Sequence, residues 1–270
     1  MRALRRALEI GRTEGARTLL FRALRWGHKR SRHRFHQLTV ARPFDWYLRN
    51  RESRHALGVL RLSRRLARWV FSVQFVPGER LPLRHVDPAD IVGYSPNDPP
   101  IYWGELKPGD WDLRATPFDE CAVNRSIQLH YEAGVPWEET PLRQYFDEMM
   151  AGGGAWGYDS PDEFPQRVAD IEALVESVRT HGYRTASELP EAGTTELVPP
   201  TLDEVTVDVG RDGRYHYRNL GQHRIAVAKL LDVDEIPVRV GAYHPDIVDD
   251  VVDSPAPSRE RTPPESGDSA

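Results

Sequence analysis

Residues 203–240, DEVTVDVGRDGRYHYRNLGQHRIAVAKLLDVDEIPVRV, decide the fold. They read as strand, tight turn, strand, glycine-led loop, helix and strand. Thr206, Val207 and Val209 form a β-branched run that stops at Asp212-Gly213, a dipeptide suited to the positive-φ positions of a two-residue hairpin turn; residues 214–218 make the return strand. After Asn219-Leu220 the apolar spacing changes from period two to helical, through Ile225, Val227, Ala228, Leu230 and Leu231. Gly221, Gln222, His223 and Arg224 therefore open a helix. Free backbone N–H groups and the positive end of the helix dipole make such a place attractive to phosphate. A glycine there gives a ligand room to approach the backbone, and an arginine can grip phosphate oxygens with two parallel hydrogen bonds.

Outward from this core, composition divides the chain. Residues 1–80 carry 20 Lys+Arg against 5 Asp+Glu, a net of +15, whereas the remaining 190 carry 16 against 36, a net of −20. The front is a basic helical extension. Residues 1–35 read as one or two amphipathic helices, with Leu4, Leu8, Leu19, Leu20 and Leu24 among arginines, and residues 55–76 as a more apolar helix ended by Pro77-Gly78. Such a segment can lie on nucleic acid or on an anionic membrane, or serve only as a solvated packing arm. The single cysteine, Cys121, excludes an internal disulfide and a cysteine zinc cage, which fits a reducing, cytoplasmic setting. No apolar run approaches the roughly 20 residues of a spanning helix.

Residues 83–91 read as a strand entering a turn, and residues 101–106 as a short strand. The next helix has Thr116 as cap, Pro117 at its first position and Asp119 and Glu120 in its first turn, and it stops at Gly134. Another helix over 138–150 is broken by Gly152-Gly153-Gly154, which lacks the Lys-Ser/Thr of a P-loop. Ser160-Pro161-Asp162-Glu163 has the form of a capping box, and its helix closes at Gly182 with a left-handed glycine cap. Residues 246–270 are too polar to bury a core and read as a disordered acidic tail.

Gly221-Gln222-His223-Arg224, Ala228-Lys229-Leu230-Leu231 and Ile236-Pro237-Val238, in that order after a hairpin, resemble the core of the ParB/sulfiredoxin-like superfamily. The resemblance covers about residues 81–245 and implies an α+β fold, a small mixed sheet with packed helices, here with a helical insertion at about 113–160. Gly109-Asp110-Trp111-Asp112 and Gly134-Val135-Pro136-Trp137 give that insertion the look of an archaeal branch of the superfamily. By position, the resemblance implies that Gly221, Gln222, His223 and Arg224 bind the phosphates of ATP, ADP or CTP. Gln222 stands where sulfiredoxins carry their catalytic cysteine and cannot form the sulfur intermediate, so that reaction is excluded.

Asp110 and Asp112 are the candidate catalytic groups. Carboxylates at i, i+2 in an extended segment point the same way and can hold Mg²⁺ or accept a proton from a hydroxyl. The same pattern on a loop is also ordinary turn chemistry, just as His223 and Arg224 can simply cap a helix start. The expectation is a nucleotide-binding protein with phosphotransferase or NTPase chemistry; the alternatives are a DNA-binding partition-like protein and a membrane-peripheral or scaffold protein acting through its arginine-rich front.

Overall fold

A computed structural model describes residues 35–77, 83–97, 100–154, 156–185, 188 and 202–248. The expectations for residues 1–34, for most of the 190–202 connector and for the tail beyond Val248 lie outside them. The fold is mixed α+β, and the chain divides into two compact units. Of the described residues, the first comprises 35–75, 100–102 and 202–203, and the second the remainder.

In the first unit a π-helical turn, Gln37–Ala41, runs into helix α1 (Arg42–Arg49), and helix α2 (Ala56–Phe71) follows before the two-residue strand β1 (Gln74–Phe75). Ala56, Leu60, Ser63 and Ala67 recur at helical spacing and form the buried stripe of α2. The Ser63 hydroxyl on that stripe donates to the Thr39 carbonyl (2.7 Å). α2 ends at Ser72, whose N–H still bonds the Arg68 carbonyl and whose left-handed φ of 57° turns the chain out of the helix. That stop comes before the expected Pro77-Gly78. His36 lies edge-on to Tyr102, ring centroids 4.9 Å apart, and its Nε2 meets the Ile101 carbonyl at 2.9 Å.

The second unit is built on a mixed sheet of β2 (Arg84–Val86), β3 (Ile91–Tyr94), β4 (Glu105–Leu106), β5 (Thr116–Pro117), β6 (Val205–Val209), β7 (Tyr215–Tyr217) and β8 (Ile236–Tyr243). Strand order runs β4, β8, β6, β7, β3, β5, with β2 antiparallel on the first part of β8. β6 and β7 are antiparallel, while β6–β8, β4–β8 and β3–β7 are parallel. The hairpin expected between β6 and β7 is present, but its loop has three residues. Gly213 N–H bonds the Gly210 carbonyl and Gly210 N–H bonds the Arg214 carbonyl, with only Gly213 at positive φ (81°). This is a turn followed by a glycine bulge, so Asp212 keeps an ordinary negative φ.

Helices α3 (Ala122–Ala133), α4 (Pro141–Ala151), α5 (Phe164–His181) and α6 (Gln222–Leu230) complete the unit. Their buried residues, among them Ile127, Phe146, Phe164, Ile171 and Ile225, share one core with Val205, Val207, Val209, Val238 and Val240 of the sheet. The start of α3 corrects the expected cap at Thr116. Thr116 and Pro117 pair with Tyr94 and Gly93 as β5, a short 3₁₀ turn follows, and the helix begins after Cys121. A strand partner 20-odd residues upstream outweighs the local capping signal. Gly134 ends α3 as expected, at φ 69°. The capping box at Ser160 and Glu163 is present: Glu163 Oε2 accepts from Ser160 N–H (3.0 Å). Gly182 closes α5 with φ 72° and an extended ψ of 176°, outside the left-handed helical region expected.

Candidate functional site

The first turn of α6 is set by a close approach. Gly221 has φ 90°, and a Cβ there would stand 2.6 Å from Val205 Cγ2. Its missing side chain makes room for β6. Thr206 N–H bonds the Leu220 carbonyl (3.1 Å), so the loop is fastened to the start of β6. Tyr94 donates its hydroxyl to Asn219 Oδ1 (3.0 Å), holding that residue at φ 60°. No side chain caps the helix. Gln222, His223 and Arg224 are all half-buried.

His223 is held from the α5 side. Its Nε2 accepts from Arg167 Nη2 at 2.6 Å, and its ring stands edge-on to Trp156, centroids 5.1 Å apart. Burial, then the nearby Arg167 and Arg224, push the imidazole pKa well below its ordinary value, so the ring is neutral and its Nε2 can accept. Arg167 also lies over the Trp156 ring at 4.7 Å. Arg224 Nη1 is 3.8 Å from Glu204 Oε2. Together with Arg184, which donates from Nη2 to Ser177 Oγ (3.0 Å), Arg224 lines a cavity of about 20 Å³ between α5 and α6. A space of that size takes a water molecule. Arg224 and Arg184 thus share one small cavity, while Arg167 meets the helix start through His223. Arg167 and Arg184 carried no signal in the sequence, because only the packing of α5 on α6 brings them here.

Asp110 and Asp112 do meet, on Arg211. Arg211 donates from Nε to Asp112 Oδ2 (2.8 Å) and from Nη2 to Asp112 Oδ1 (2.9 Å) and Asp110 Oδ1 (2.8 Å); its backbone N–H adds a bond to Asp112 Oδ2 (3.0 Å). Burial pushes the Asp112 carboxyl upward, but the hydrogen bonds from the Arg211 side chain and backbone outweigh it and hold the group well below the usual carboxylate range. Such a carboxylate is a weak base at neutral pH. No cluster of three or more His, Cys, Asp or Glu suited to a metal ion occurs among the described residues.

The clasp and the helix start also lie at opposite ends of one hairpin. Arg211 follows the end of β6, while Leu220 and Gly221 sit beside its beginning, roughly 17 Å away at ~3.3 Å per residue. The two sets of expected site residues are not brought together.

A third cluster escaped the sequence reading. β6 alternates Val205, Val207 and Val209 with Thr206 and Asp208, a pattern that ordinarily puts the polar residues in water. Here Thr206 and Asp208 are fully buried. Asp208 Oδ2 accepts from Ser95 Oγ (2.7 Å) and Asn97 Nδ2 (2.8 Å), and Oδ1 accepts from Ala242 N–H (2.8 Å) and Arg218 Nη1 (3.1 Å). Arg218 Nη2 is 3.8 Å from Glu105 Oε2. Burial raises the Glu105 carboxyl pKa, against the opposing pull of Arg218 and Lys107. Directly opposite Asp208 on β7 is His216, whose pKa is lowered chiefly by burial and whose Nδ1 finds no hydrogen-bond partner among the described residues. Glycines make the space. A Cβ at Gly241 would stand 2.8 Å from Asp208 Oδ1, and one at Gly93 2.7 Å from His216 Nδ1.

Trp111 stacks its edge against His216 and donates Nε1 to the Lys107 carbonyl (2.8 Å), and Trp137 lies flat on His130 with centroids 4.3 Å apart. Both rings are core residues. Comparison with protein-family models, curated proteins and solved structures finds no match to this chain.

Proposed function

We propose that this chain is a nucleotide-binding protein of the ParB/sulfiredoxin-like type, holding the phosphates of a nucleoside di- or triphosphate at the first turn of α6. The observation that carries the reading is the sharing of one cavity by Arg184 and Arg224 beside a nine-residue helix whose N-terminus no side chain caps. Backbone N–H groups, the helix dipole and guanidinium forks all favour the same oxyanion chemistry. The order of hairpin, Gly221-to-Arg224 segment, helix and Ile236-Pro237-Val238 strand supports the family resemblance, in the setting of a mixed α+β sheet.

In this reading Arg224 and Arg184 are the direct phosphate contacts, and His223 ties Arg167 of α5 to the helix start. Asp110 and Asp112 belong to the Arg211 clasp at the far end of the hairpin and are not part of the binding site. Mg²⁺ enters with the nucleotide phosphates, which are its ligands of choice.

The test is a thermal-shift panel of ATP, ADP, CTP and GTP with Mg²⁺, on the native protein and on Arg224→Ala and Arg184→Ala. A nucleotide at ~100 times its dissociation constant adds about 2.7 kcal/mol of stability. One nucleotide stabilising the native protein and neither variant is the expected result. Equal stabilisation of all three proteins, or of none, overturns the reading.

A further inference from the structure

The face of α2 opposite its buried stripe carries Arg61, Arg65 and Arg68 at i, i+4 and i+7, all exposed, and among them Leu62 and Trp69. Trp69 is 84% exposed and Leu62 59%. α1 repeats the combination on a smaller scale, with Trp46 exposed beside exposed Arg42 and Arg49. Residues 35–75 hold eight arginines against two acidic residues, Asp45 and Glu52, and α2 itself holds no acidic residue. Two costs are thus left standing on one helix face. Large apolar side chains remain in water, and the like charges of Arg65 and Arg68, one turn apart, repel one another.

From this face we infer a docking surface for an anionic lipid bilayer, with α2 lying in the plane of the headgroups. An indole and a leucine among arginines suit that boundary chemically. Trp partitions to the headgroup level, leucine enters the acyl edge, and each arginine near an anionic surface contributes ~1 kcal/mol. Nucleic acid would satisfy the arginines but leaves Leu62 in water. A second copy of the same face would bring its like charges together. No helix among the described residues is long and apolar enough to cross a membrane, so the association is with the surface. It is independent of the phosphate site at α6.

The experiment is vesicle sedimentation of the full chain with phosphatidylcholine alone and with added phosphatidylserine, with duplex DNA as competitor. The native protein is expected on the anionic vesicles and not on the neutral ones. The double variant Arg65→Glu, Arg68→Glu lowers the partition at least about tenfold. Trp69→Ala lowers it severalfold while leaving the salt dependence intact, which separates insertion from charge. Because all three residues are exposed, unchanged circular dichroism melts confirm that the variants fold. Equal binding to neutral vesicles overturns the inference. So does a partition indifferent to Trp69→Ala, and so does displacement from vesicles by duplex DNA, which would assign the face to nucleic acid.

Discussion

The two faces of the β6–β7–β8 sheet are both buried, yet they are held by opposite kinds of force. One presents Val205, Val207, Val209, Val238 and Val240 to helices, and its cohesion is proportional to area and indifferent to direction. The other presents Thr206, Asp208, His216 and Arg218, and its cohesion depends on a few directed bonds that converge on one carboxylate. The apolar face should therefore yield gradually to change. The polar face should fail all at once when one partner is removed, since the partner left behind is a buried charge.

The largest effect is expected from Asp208→Ala, which takes the nearer of two carboxylates from Arg218, a side chain at 1% exposure, and should cost about 3–5 kcal/mol in urea denaturation. Removing both charges in Asp208→Leu, Arg218→Met should restore part of that loss; a double variant no better than the single one would show that the charge pair is not what the face depends on. Next comes Gly241→Ala, whose added methyl meets both Asp208 Oδ1 and Arg218 Nη1 (2.8 and 3.1 Å) and should cost about 1–3 kcal/mol. On the apolar face, Ile225→Val removes one methyl from a fully buried side chain, for about 0.5–1.5 kcal/mol by the same measurement. A glycine with open space around it supplies the opposite sign. Gly58, inside α2, has nothing within 4 Å of an added Cβ, and Gly58→Ala should stabilise by about 0.4–1 kcal/mol.

The smallest effect is expected from pH. The folded-state pKa of His216 lies below its ordinary value, so the unfolded chain binds the proton more readily, and stability falls as pH drops through about 6.5. His216→Gln should flatten that part of the profile relative to the native protein. A native profile identical to that of the variant between pH 7 and pH 5 would mean that the ring is not held neutral by its surroundings.

What the sequence revealed follows the range of the forces involved. The hairpin, the glycine-led helix and the Ile-Pro-Val strand were legible because turn residues and apolar period act within a few positions. The helix break at Gly134 and the capping box at Ser160 were legible for the same reason. Thr116 misled because β3, far upstream, recruits it as a strand. The site was less legible than the fold. Asp110 and Asp112 share one partner, but nothing near them announces Arg211, about a hundred residues on. Ser95 and Asn97 meet Asp208, and Glu105 meets Arg218, only through the sheet, and the alternation of β6, a pattern that ordinarily turns polar residues to solvent, contained no hint that its polar side is covered.

β8 draws its neighbours from the whole length of the second unit: residues 84–86 and 105–106 along one edge, and 205–209 along the other. During synthesis, each of those segments leaves the ribosome long before the strand that joins them. Until residues 236–243 emerge, β2, β4 and β6 have open hydrogen-bonding edges, and Asp208 lacks the Ala242 N–H that completes its shell. Assembly of the sheet is therefore a late and slow event, governed by contacts between distant parts of the chain. In the interval those edges are open to pairing with another chain.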